Sequence, residues 1–232
     1  MSARLLQLAS PALPIGGYSY SGGLEWGIES GQVHDEASAR QWVEDALALS
    51  LGGFEAPLMV AALRRLRAGP DAAQAALLEA LAALNDVALA ARETDELRQE
   101  STQMGYSLGQ WVTTVCAGDD AGAALAERLA GWRPLSLPLA WALAAWRLGL
   151  DDRDAALAWL WSFAENQAMV LMKALPIGQA AAQRLLRALG PQLDAAAGRA
   201  CTLDEARWSS AAPALALASM KHETQYSRLF RS

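Results

Sequence analysis

Lysine is almost missing from this chain of 232 residues: Lys173 and Lys221 are the only two, and each follows a methionine in an apolar setting. A Gly-x-x-x-x-Gly-Lys loop therefore cannot be built, which excludes a P-loop nucleotide hydrolase. Cysteine is equally scarce. Cys116 and Cys201 lie far apart and outside any Cys-x-x-Cys spacing, so neither a disulfide framework nor a zinc knot is supported, and both are expected to be reduced, small core residues. Histidine is limited to His34 and His222, which lack an i, i+4 partner and are remote from both cysteines, so no metal-binding spacing results. Positive charge is short as well. With a formal charge of −6 and a pI near 5.0, the field that draws proteins onto phosphate backbones or anionic lipid is missing, and neither nucleic acid nor a membrane is an expected partner.

β-branched residues are too few for any window to show the alternation of a strand. The uncharged run from Leu5 to Leu24 is broken by Pro11, Pro14, Gly16, Gly17, Gly22 and Gly23, so it reads as a loop and not a membrane helix. Arg4-Leu5-Leu6 resembles the start of a signal peptide, but Gln7 and Pro11 cut the apolar stretch short. A cytoplasmic location is expected.

What is present is helix-forming sequence, 53% hydrophobic and 19% charged, enough for one shared core. The expectation is an all-α, single-domain bundle of about eight to ten helices over 1–232, with a flexible C-terminal tail from about 221. Asp35 is placed to cap a helix that runs to about Leu51 and ends at Gly52-Gly53, with Trp42, Val43, Ala46 and Leu47 on its buried stripe. Further helices are expected over about 55–67, 71–91, 93–115 and 121–131, with turns at Gly69-Pro70 and around Gly118. Ser136 and Pro138 open the next, Gly149 closes it, and Asp151 starts a central helix whose Leu157, Leu160, Trp161, Ala164, Ala168, Leu171 and Met172 share one wide face. Pro176 and Gly178 end it. A helix over about 179–189 follows, and Pro213 begins a last one that frays near His222.

Chemistry-bearing patterns are weak. Gly17-Tyr18-Ser19-Tyr20-Ser21 approaches a Gly-x-Ser-x-Gly elbow but lacks the final glycine and the strand. Asp119-Asp120 and Asp151-Asp152-Arg153-Asp154 are the nearest approach to the carboxylates of a magnesium-diphosphate enzyme of isoprenoid-synthase type, yet both stand where helix caps belong. Other segments carry more. Pro14 to Glu25 is a glycine-rich loop with two tyrosines opening into a helix. Arg92 to Gly105 places Arg92 four residues from Glu96 and Asp95 three from Arg98, which fits a solvated helix face. Asn166 and Lys173 stand on the side of Trp159, Phe163 and Val170, so they need partners, either a buried carboxylate or another subunit. The stretch from Met220 to Ser232 alternates charge with Tyr, Leu and Phe, the residue types of interface anchors, although chain ends commonly fray.

In this order these segments resemble the urease accessory protein F family. The residues that carry the likeness are Pro14 to Glu25; Arg92-Glu93-Thr94 with Glu96, Arg98, Gln103 and Gly105; Lys173 with Pro176, Gly178 and Gln179; and His222 to Arg228. Residues around 116–134 and 190–210 carry none. The resemblance implies a non-enzymatic, nickel-insertion chaperone that forms a homodimer, binds the accessory D/H scaffold protein and recruits or regulates the accessory G GTPase for delivery of nickel to apo-urease. No cofactor, metal ligand or catalytic residue of its own is implied. It assigns to partner binding Tyr18, Ser19, Glu25, Glu93, Glu96, Arg98, Lys173, Gln179, His222, Glu223, Tyr226, Arg228 and Leu229. Tyr18 and its loop would face the GTPase, Lys173 would lie in a region that modulates it, and Tyr226, Arg228 and Leu229 would order against the scaffold. A generic helical interaction domain is the blander alternative.

Overall fold

The computed structural model describes residues 3–69, 74–118 and 121–232. Among them there are helices and no strands: α1 (Ala3–Leu8), α2 (Leu24–Glu29), α3 (Glu36–Asp45), α4 (Ala56–Arg67), α5 (Gln74–Ala90), α6 (Asp95–Val115), α7 (Ala121–Ala130), α8 (Leu137–Leu148), α9 (Asp152–Ala174), α10 (Gln179–Ala200) and α11 (Pro213–His222). The caps read from sequence at Asp35, Asp151 and Gly149 are in place, whereas Ser136 stands at the start of α8 without a side-chain capping bond. Asp35 accepts from the Ser38 N–H at 2.8 Å in a reciprocal capping box, Asp151 accepts from the Asp154 N–H at 2.7 Å, and Gly149 closes α8 in the left-handed conformation. Asp119, Asp120 and Pro70 lie outside the described residues.

Two boundaries differ from expectation. Gly52-Gly53 does not end a helix; α3 runs into a π-helical stretch, Ala46–Glu55, and on into α4 as one rod from Glu36 to Arg67. Its wider turns carry bonds such as Ala56 N–H to Leu51 C=O. The glycines serve close approach here: a Cβ at Gly52 would stand 2.6 Å from the Leu47 carbonyl oxygen, and one at Gly53 2.8 Å from that of Ser209. That rod is long and apolar enough to span a membrane, but most of its apolar window is buried inside the bundle. Likewise α10 continues past Gly190-Pro191 to Ala200. The lost hydrogen bond at Pro191 is offset by an apolar stripe, Leu189, Leu193, Ala196, Ala197 and Ala200, all buried.

Helix α9 is central. Of its expected face, Leu160, Ala164, Ala168 and Leu171 are buried and Leu157, Trp161 and Met172 half-buried, while Trp159 and Val170 on other sides are buried too. It packs chiefly on α10, α8 lies between α4 and α6, and α11 lies on α2. Gly105 lets α6 touch the segment before α8, where an added Cβ would collide with the Leu135 carbonyl oxygen. These contacts bring the starts of α2 and α6, the end of α11 and one side of α9 to a common edge.

Candidate functional site

At that edge lie the last ten residues, which the sequence reading leaves as a tail. Gly23 (φ 84°) turns the glycine-rich loop into α2 and lets α11 approach, with a Cβ position only 3.1 Å from the Ser219 backbone nitrogen. The loop thereby delivers Glu25, buried, beneath the chain end. Its carboxylate accepts from the backbone N–H groups of Leu229 (2.6 Å) and Phe230 (3.0 Å) and faces His222 Nε2 at 3.1 Å. His222 Nδ1 stands 2.7 Å from Glu96, which also accepts from Arg228 at 2.5 Å. Glu25, Glu96, His222 and Arg228 thus close a compact cluster, with His222 fully buried at its centre.

Thr94 positions this helix end, since its hydroxyl accepts from the Leu97 N–H at 3.2 Å and bonds the Ser219 hydroxyl at 2.7 Å. Glu223 accepts from the Glu96 N–H, an anion at a helix N-terminus. The rest of the segment is held as closely. Arg231 N–H donates to the Ser19 carbonyl (2.7 Å), Ser21 N–H to the Ser232 carbonyl (2.9 Å), and the Ser232 hydroxyl to Glu100 (2.6 Å). Phe230 and Ser232 are buried.

Lys173 and Asn166 find partners, though neither is a carboxylate nor another subunit. Lys173 Nζ sits 4.5 Å from the Phe230 ring centroid and donates to the Leu229 carbonyl at 3.4 Å; Asn166 donates to the Tyr20 carbonyl at 2.9 Å. Arg92 does not pair with Glu96 but with Glu55 of the π stretch at 3.2 Å. Burial would lower the pKa of Arg92, yet facing Glu55 raises it. Burial pushes Glu93 up, and Glu100 to about 7, against the lowering effects of Ser232 and Arg92 on Glu100.

Of the residues singled out in the sequence, Ser19, Glu25, Glu96, Lys173, His222, Glu223, Arg228 and Leu229 converge here. Tyr18 is exposed and donates to the Pro11 carbonyl within its own loop. Glu93, Arg98, Gln179 and Tyr226 are exposed, and the last three make no side-chain hydrogen bond among the described residues. Sequence reasoning missed Glu100, Ser219 and Glu55. Glu100 was within reach, four residues after Glu96 on one helix face; nothing local marked the others. Two aspartates of the alternative enzyme reading are otherwise engaged: Asp151 caps α9, and Asp152 pairs with both Arg64 and Arg67; Asp119 and Asp120 lie outside the described residues. Among the described residues no group of three or more His, Cys, Asp or Glu side chains is placed to hold a metal ion.

The chain is an all-α bundle that uses Glu25, Glu96 and His222 to hold its own last residues. A sequence model of the UreF family matches residues 33–190. Proteins named urease accessory protein UreF share 45% identity in Dechloromonas aromatica (99% of this chain, 97% of the relative), 50% in Azoarcus sp. (99% and 94%) and 53% in Azotobacter vinelandii (98% and 97%). The chain belongs to the UreF family.

Proposed function

We propose that this protein is a non-enzymatic urease maturation factor that works in the cytoplasm as a homodimer. It binds the accessory D/H scaffold and recruits the accessory G GTPase, so that nickel passes to apo-urease without release into bulk water. One observation carries the scaffold assignment: the segment after α11 is held from beneath by Glu25, Glu96 and His222, while its Tyr226 and Leu229 side chains are left fully and half exposed. Rigid aromatic and aliphatic anchors on a pre-ordered backbone suit a protein interface, because little entropy is lost on docking. Tyr18, exposed on the glycine-rich loop before α2, supplies a second anchor for the GTPase. The free state of Cys116 and Cys201 fits a reducing compartment.

Copurification with tagged D/H and G proteins tests this. Tyr226→Ala with Leu229→Ala weakens scaffold capture at least about ten-fold, as loss of an interface anchor does; Tyr18→Ala weakens GTPase recruitment and leaves scaffold capture intact. Unchanged capture in both variants removes the assignments. Active, nickel-loaded urease in cells lacking this gene overturns the whole reading.

A further inference from the structure

A partly open cavity of about 150 Å³ lies between the loop before α2, α3, the π stretch, α6, α8, α9 and α11, with exposed Glu93 at its rim. Voids of about that volume accommodate a single six-membered ring. One side is aromatic: Trp42, Trp141, Trp159 and Phe163, with Trp141 and Trp159 edge-on at 5.2 Å. The other side is charged and unbalanced, carrying Glu55, Glu93 and Glu100 against Arg92 alone. Glu55 is matched by Arg92 and by the Ser50 hydroxyl, whereas Glu100 has only the Ser232 hydroxyl and Glu93 no cation in hydrogen-bond contact among the described residues. Trp42 and Trp159, each more than nine-tenths buried, leave their indole N–H groups without a partner among the described residues, as does the Oδ1 of Asn166 in the same wall. A dry apolar void does not call for such a lining.

We propose that this cavity binds a small organic ammonium compound carrying one flat apolar group. The flat group lies among the tryptophans, the ammonium is drawn to their π faces and to Glu93 and Glu100, and Asn166 Oδ1 accepts one of its N–H bonds. Carboxylates in want of a cation, beside aromatic walls, disfavour an anion and discriminate weakly for a neutral molecule. A metal ion fits poorly, since no three ligating side chains converge among the described residues. The cavity adjoins the C-terminal segment, since Glu100 accepts from the Ser232 hydroxyl, but small-molecule binding is read on the isolated chain and so is decided apart from scaffold capture.

The test uses the full chain with benzylammonium, benzyl alcohol and benzoate, followed by calorimetry and thermal unfolding. Benzylammonium binds saturably, raises the melting temperature and binds about ten-fold or more tighter than the alcohol; benzoate does not bind. Glu100→Gln removes the preference for the cation. Phe163→Leu, which keeps apolar volume and deletes one π face, weakens benzylammonium and leaves benzyl alcohol unchanged, so a folding defect in the first variant does not decide the matter. Equal binding of ammonium and alcohol, tighter binding of benzoate, or no saturable binding by any of the three overturns the proposal.

Discussion

His222 shows how much one side chain can organise. Buried between Glu25 and Glu96, it faces one carboxylate with each of its two ring nitrogens beneath the chain end. Removing one partner of such a buried set leaves an uncompensated charge, so His222→Ala loses roughly 3–5 kcal/mol of stability, read as a lower urea midpoint. Glu100 makes a second, pH-dependent prediction. Its folded pKa, about 7, lies above the ordinary 4.5, so the fold holds this proton more tightly than the unfolded chain does. The contribution is fully present below about pH 4.5 and is lost as pH rises through about 7. Wild type therefore loses stability relative to Glu100→Gln across that window, and urea titrations at several pH values check it; parallel curves for the two proteins refute the assignment.

Among the elements, glycine positions separate sharply by what surrounds them. Gly105→Ala drives a Cβ into the Leu135 carbonyl, forces α6 away from the segment before α8, and destabilises by about 1–3 kcal/mol or more. Gly198→Ala in α10 meets nothing within 4 Å and has no positive φ, so it stabilises by about 0.5–1 kcal/mol through helix propensity. Thermal unfolding of both variants distinguishes the two effects. The same contrast explains why helix ends were legible at Asp35, Gly149 and Asp151 but not at Gly52-Gly53 or Gly190-Pro191. Caps act through local hydrogen bonds, whereas Gly52-Gly53 answers to Ser209, distant in sequence, and α10 is carried past Gly190-Pro191 by the buried stripe of Leu189, Leu193, Ala196 and Ala197.

For the molecule as a whole, residues 223–232 act as a strap that ties α2, α6, α9 and α11 together. Their removal exposes Glu25 and the Phe230 site, so hydrogen exchange speeds up in α2 and the first turns of α6 while α4 and α8, in the core, keep their protection. Equal protection everywhere in the shortened protein contradicts this.

Helix content, most helix starts, the apolar face of α9 and the family were written in local patterns: helix propensity, capping chemistry, 3.6-residue periodicity and four short polar blocks in order. Tertiary structure alone decided that these blocks meet. Lys173 could be read as a cation wanting a partner, but not that Phe230 supplies it; the resemblance assigned Glu25, Glu96 and His222 to partner binding, and only packing set them against one another. The reason is physical. Backbone propensities act over a few residues, while the pairing of buried charges depends on which surfaces the hydrophobic core has already pressed together.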